Sequence, residues 1–487
     1  MPNAAPNSKP LSETRGWFAP ALALVAALVA LRLLALAFDH TDIFVDEAQY
    51  WFWGQNLDFG YYSKPPLIGW LLRAVTDLAG SSDPFWLRLP GTFLHAATAL
   101  ILGALAARIG GARAGFAAAA VYITAPMAAL GSWQISTDTV MAPFFAAALL
   151  YFWRAGESRS ATHGALAGLF IGCAFMAKYA AIYFWGGALL AMLFVPARRI
   201  GWPAFAAMVG LFALVIAPNV VWNLTHKLTT VQHTLDNVGW VRAGAGANLA
   251  SMAEFFGSQF AVFGPVSFAA LLWGYTRLGA PQKRALMALS ILPLMAVTAQ
   301  AYLGKAQANW AVAAYFAGAV LVALVLPRRG LWLALGLNMI ACLAVPVLIV
   351  AAPWLGPDEA PWMKRYLGRA ELSTRILALA QAEGVSVYAQ NRDILADLFL
   401  TGREVVGQPE GVTVYAPRVV GRAHNYYEQN YALPPEYRGK LLVIRAAPMV
   451  CAGVPVPPAG VLNGSGHWAG KQITPYLVDA ECLDAET

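Results

Sequence analysis

Residues 17–70 read WFAPALALVAALVALRLLALAFDHTDIFVDEAQYWFWGQNLDFGYYSKPPLIGW, an apolar run that ends abruptly in acids, aromatics and prolines. Its first part, 17–38, has the ~20 apolar residues a helix needs to cross a bilayer. No small-residue cleavage site follows and no strongly basic leader precedes it, so it reads as an anchor and not a signal peptide. Ten further runs of this kind follow at 86–107, 114–131, 137–153, 164–178, 180–196, 203–222, 251–275, 285–301, 309–326 and 331–354. Residues 164–196 form one long run interrupted by Lys178, read here as two spans. The stretch 65–79 is apolar on one side only and carries Arg73 and Asp77, which places it along the interface.

Composition agrees. The chain of 487 residues is 59% hydrophobic and 12% charged, with mean hydropathy +0.55. A soluble domain averages roughly 25% charged residues, so a large soluble enzyme and a disordered chain are both excluded. Four cysteines are too few for a disulfide scaffold. The net charge of +7 sits in short gaps between apolar runs, a membrane pattern and not a nucleic-acid one. Roughly 20% of residues 355–487 are charged against roughly 9% before them, which divides the chain into a membrane part, 1–354, and a soluble C-terminal domain, 355–487.

Alternate gaps hold Arg108 and Arg113; Arg154 and Arg159; Arg198 and Arg199; Arg277, Lys283 and Arg284; Arg328 and Arg329, with Glu157 as their one acid. That bias places these gaps in the cytoplasm. The opposite connections, 39–85, 132–136, 223–250 and 302–308, then face outward, and an odd number of spans puts the C-terminal domain outside as well. That domain contains an amphipathic segment near 371–383 and strand-like runs at 385–389 and 441–446, the mixture of a small α/β fold. Cys451 and Cys482 lie on the oxidising side; spacing leaves their pairing open.

Candidate chemistry gathers on the outer face. Asp46 and Glu47 stand just past the first span, ahead of an aromatic cluster and of Lys64, which is fixed before two prolines. A carboxylate tuned by partial burial can serve as a general base, and a Lys can neutralise a lipid phosphate. The competing reading is an interfacial aromatic belt with solvated acids. Asp138 lies at the mouth of the fourth span, as an N-cap beside Ser136 and Thr137 or as a functional acid. Lys178 lies on the same side. The loop 223–250 supplies His226, His233, Asp236 and Arg242 without a zinc-binding spacing, and Lys305 and Asn309 sit in a further outer polar cluster.

Read together, the D-E pair after the first span, the G-Y-Y-S-K-P-P block, the S-T-D-T-V-M-A-P-F-F block, M-A-K-Y and Q-A-N-W resemble a GT-C glycosyltransferase. The group is the bacterial dolichyl-phosphate-mannose-protein mannosyltransferase-like one, of the family 39/83 type, which includes lipid A aminoarabinose transferases. The resemblance implies a polytopic helical membrane fold with a soluble α/β tail in the bacterial inner membrane, its C-terminal domain periplasmic. It implies transfer of a sugar, with inversion, from a polyprenyl-phosphate donor to a lipid, glycan or protein acceptor, without nucleic acid. By matching motif, Asp46 is the acceptor-side base and Lys64 and Lys178 meet the donor phosphate. Glu47, Tyr62, Asp138, His233 and Asn309 contact substrate. No metal ligand is assigned, and a divalent metal is left open. Where the aminoarabinose enzymes carry an acid before the Lys, this chain has Ser63, which argues against a shared metal site and against that sugar. A transporter or lipid-carrier flippase, for which intramembrane charges are also expected, is the alternative.

Overall fold

A computed structural model describes residues 16–237, 246–359, 361–409 and 411–484; Arg242 lies outside them. Each of the eleven apolar runs is helical. Among the described residues, six helices are long and apolar enough to cross a membrane: Phe18–Ala37, Pro84–Gly110, Thr137–Ser158, Trp202–Thr225, Pro281–Leu303 and Arg328–Leu355. Three more are shorter, Ala161–Ala177, Tyr179–Phe194 and Ala313–Val325. The ambiguous run 164–196 thus breaks in two, with Lys178 extended at the break.

Two runs are bent pairs: Ala112–Thr124 with Pro126–Trp133, at 55°, and Leu249–Phe263 with Pro265–Thr276, at 112°. The second break has a local cause. Pro265 has no N–H to continue the helical ladder, and Gly264 adopts φ 93°, where a Cβ would lie 1.9 Å from Asn338 Oδ1. The pair nonetheless runs end to end. Its start bonds the C-terminal end of Pro281–Leu303, through Asn248 N–H to Tyr302 O at 2.8 Å, and four residues join Thr276 to that helix's beginning.

The described residues fold as two compact units: those up to Ala37 with Lys64–Ile68 and those within Arg88–Pro346, and Phe38–Ser63 with Gly69–Leu87 and those from Val347 on. In the first unit the two ends are distinguishable by their charges. Glu157 accepts from Arg108 at 2.5 Å and lies 3.8 Å from Arg198, gathering three of the basic gaps at one end. Small residues let helices approach closely. A Cβ at Gly168 would sit 2.1 Å from Met208 O, and one at Gly164 2.0 Å from Ala204 O, so Ala161–Ala177 packs backbone to backbone on Trp202–Thr225. Gly168→Leu is therefore expected to force these helices apart at a cost of about 3 kcal/mol or more, the upper range for overpacking. Gly210→Ala, on the same helix pair but facing open space, is expected to be tolerated. Thermal unfolding in detergent checks both; equal midpoints would refute the close packing.

In the second unit a four-stranded sheet has the order β2-β1-β3-β6, from β1 (Ser386–Ala389), β2 (Val414–Tyr415), β3 (Lys440–Arg445) and β6 (Thr474–Asp479). β2, β1 and β3 are parallel and β6 runs against β3. The unbroken run Leu441–Ile444 is fully buried, as expected of an inner strand covered on both faces. β4 (Val450–Cys451) and β5 (Val454–Pro455) form a separate ribbon, and Cys451 is disulfide-bonded to Cys482. The α/β expectation for the tail holds.

Candidate active site

In the first unit, Ser136 caps the helix Thr137–Ser158 by accepting the Thr139 N–H, which leaves Asp138 free of that duty. Its carboxylate instead accepts from Lys178 Nζ at 2.7 Å on both oxygens and from Asn309 Nδ2 at 2.8 Å. The Asp138 and Lys178 side chains are each only 14% exposed. Three residues picked out separately in the sequence, from three different connections, thus meet in one cluster. An ammonium carries three donors, and Asp138 engages two of them in the described contacts. Lys64 is half-buried, flanked in sequence by buried Tyr62 and by buried Pro65 and Pro66. Proline restricts the residue before it to extended backbone, so the Lys64 side chain is carried on a stiff segment. His233 lies half-buried on the helix Thr229–Asn237, and His226 stacks on Trp222 at the end of its own helix.

In the second unit, the helix Val45–Gln55 begins just past the first span. Glu47, fully buried, accepts the Phe44 N–H at 3.0 Å and closes the helix start in a capping box. Asp46 points elsewhere. Its Oδ1 accepts from Arg392 Nη2 at 2.5 Å, and Arg392 Nε also donates to Gln49 Oε1 at 2.9 Å. Burial would lower the Arg392 pKa, but the adjacent Asp46 carboxylate outweighs it and holds the guanidinium charged. Arg392 is placed by its neighbour: Asn391 caps the helix Arg392–Thr401, accepting the Asp393 N–H at 2.7 Å.

The aromatics after Glu47 are packing and not a belt. Phe52 stacks on Phe399 at 4.2 Å and on Tyr427 at 5.8 Å, Trp53 stacks on Tyr61 at 4.8 Å, and Tyr62 donates to Ala423 O at 2.8 Å. Asp42 accepts the Arg369 N–H at 2.7 Å and Asp83 accepts from Arg403 at 3.2 Å. The loop segments Phe38–Ser63 and Gly69–Leu87 therefore fold together with the C-terminal domain. Among the described residues, no group of three His, Cys, Asp or Glu side chains is placed to hold a metal ion.

Sequence reading missed Arg392 and Gln49. Only position hints at Arg392: N-R-D begins one residue beyond the β1 run, and crevices past the carboxyl ends of parallel strands are where α/β folds bind ligands.

Comparison with known proteins settles the family. A family model described as dolichyl-phosphate-mannose-protein mannosyltransferase matches residues 63–222. The lipid A galacturonosyltransferase RgtD of Rhizobium johnstonii is 41% identical over 472 residues, covering 95% of this chain and 98% of that protein. The chain belongs to the GT-C glycosyltransferases. It is a multi-pass membrane glycosyltransferase that uses a polyprenyl-phosphate-linked sugar, and the transporter alternative falls. The fold is similar to ArnT from Cupriavidus metallidurans. The crystal structure of its apo state superposes with TM-score 0.59 at 15% identity, covering 87% of this chain and 93% of that one. The structure bound to undecaprenyl phosphate superposes with TM-score 0.60 at 13% identity, covering 93% and 97%.

Proposed function

We propose that the protein transfers a galacturonosyl residue from a polyprenyl-phosphate carrier to lipid A, at the periplasmic face of the bacterial inner membrane and with inversion at the anomeric carbon. The observation that carries this reading is the 41% identity to a lipid A galacturonosyltransferase along nearly the whole of both chains. What supports an outward first loop and C-terminal domain is the basic bias of the alternate gaps in the sequence.

In this reaction the acceptor hydroxyl attacks C1 of the sugar. Its proton passes to the Asp46 carboxylate, while the bond from C1 to the phosphate oxygen breaks and its electron pair leaves with polyprenyl phosphate. Phosphate is a fair leaving group, and a cation aimed at its developing charge lowers the barrier. Lys64 fills that role from its stiff segment, and Lys178 assists through the ammonium donor that Asp138 does not take. Asp138 and Asn309 hold Lys178 in place; Glu47 and Tyr62 fix the loop that bears Asp46; His233 contacts substrate from the loop 223–250. The soluble tail, 355–487, acts as a periplasmic domain that shapes the acceptor side.

Mass spectrometry of lipid A from cells with and without the protein tests the reading. The expected result is loss of one hexuronic acid from lipid A in the deleted strain, restored by the intact chain. Unchanged lipid A, or loss of a sugar from a different envelope glycan, would overturn the proposed sugar and acceptor while leaving the enzyme class in place.

A further inference from the structure

Arg392 comes from the C-terminal domain, 346 residues away from the carboxylate it touches. Its guanidinium is fixed on one side, where Nε and Nη2 are taken by Gln49 and Asp46. Nη1 has no hydrogen-bond partner among the described residues, and the side chain is 36% exposed, beside an Asp46 that is 44% exposed. Its base is rigid, since the Asn391 cap fixes the first turn of its helix at the carboxyl end of β1, the inner strand of the parallel set. A planar fork with one free edge is suited to a pair of anionic oxygens. A guanidinium that donates to the proposed base also poses a chemical question, because the Asp46 oxygen it occupies is one that the acceptor's proton would need.

Both points meet in one arrangement. A uronic acid carries its carboxylate on C5, next to the ring oxygen that also bears C1, so a cation holding that carboxylate stands close to the reacting carbon and to the base. We infer that Arg392 is the specificity-determining residue for the acidic sugar: it takes the carboxylate of the donor, and in doing so frees Asp46 to receive the acceptor's proton. This rests on the proposed uronic acid donor. Substrate binding thereby arms the base, and a neutral sugar, unable to compete for the guanidinium, leaves Asp46 engaged.

The test uses the full chain in nanodiscs with two donors, polyprenyl-phosphate galacturonate and polyprenyl-phosphate galactose, and lipid A with or without its phosphates as acceptor. Arg392→Gln is expected to lower kcat/KM for the acidic donor by about 10- to 100-fold more than for the neutral one, the scale of a lost charged hydrogen bond. Arg392→Lys, which keeps charge but not the fork, is expected to restore part of that discrimination, and it provides the readout should the Gln variant fail to fold. An equal loss with both donors would overturn the inference and leave Arg392 as a support for Asp46. A loss that disappears when the acceptor lacks phosphate would overturn it too, moving the anion to lipid A. A wild-type protein that transfers no galacturonate from its carrier would bring down the proposed donor itself, a failure visible before any variant is made.

Discussion

Asp46→Asn is expected to lower sugar transfer by about 10²-fold or more, the usual scale for losing a positioned acid or base, while the protein remains folded. Two features of the structure make the second half of that statement as strong as the first. The Asp46–Arg392 pair is partly exposed on both sides, and such pairs contribute only about 0–1 kcal/mol to stability. The helix start does not depend on Asp46 either, since Glu47 supplies the capping box. Asn also keeps an oxygen for Arg392 to contact, so the first loop keeps its place against the C-terminal domain. The loss would thus fall on kcat with little change in thermal unfolding. Near-normal turnover by folded Asp46→Asn protein would remove Asp46 from the chemistry. Glu47→Gln offers the contrast: its carboxylate serves the loop's own backbone, so its substitution should act through loop position and soften with the isosteric amide.

How much of this was legible in the sequence depended on whether a local pattern determined the outcome. The membrane helices were legible because burial in lipid demands apolar composition along a whole segment, and Lys178 marked the break in residues 164–196 because a charge there must reach an end of the helices. The strand Leu441–Ile444 was legible for a similar reason. The break at Gly264 was hidden from any apolar window, since glycine and proline in F-G-P do not lower hydropathy enough to interrupt a span. The aromatic run at 50–53 was ambiguous for a different reason. Tyr, Trp and Phe satisfy an interface belt and a packed seam equally well, and only the partners Phe399 and Tyr427, supplied from far along the chain, distinguish them. Arg392 is the extreme case. Nothing local requires an Arg after Asn391, and its meaning arises only when the fold brings it to Asp46. The cluster of Asp138, Lys178 and Asn309 lies between these extremes: each was visible as an outward polar residue, but their mutual contact was not.

That cluster gives the other large expected effect. Removing Asp138 alone, as Asp138→Ala, strands the Lys178 ammonium at 14% exposure with its only described anionic partner gone. Breaking a buried ion pair on one side costs about 3–5 kcal/mol, because the remaining charge is left without compensation. Lys178→Met should cost a similar amount by stranding the carboxylate, which would keep only the Asn309 amide at 2.8 Å. Replacing both, as Asp138→Leu with Lys178→Met, removes the two charges together, and apolar replacements of this kind are often neutral or stabilising. The double variant is therefore expected to recover the wild-type unfolding midpoint that both single variants lose. Transfer should not recover with it. If Lys178 meets the donor phosphate with the donor that Asp138 leaves over, the double variant is as inactive as Lys178→Met, and raising the polyprenyl-phosphate sugar concentration restores only part of the rate. Thermal unfolding and donor titration of the four proteins separate the possibilities. Single variants as stable as wild type would show that the pair is not closed in the folded enzyme. A stable double variant with full turnover would show that the pair serves the helix ends alone.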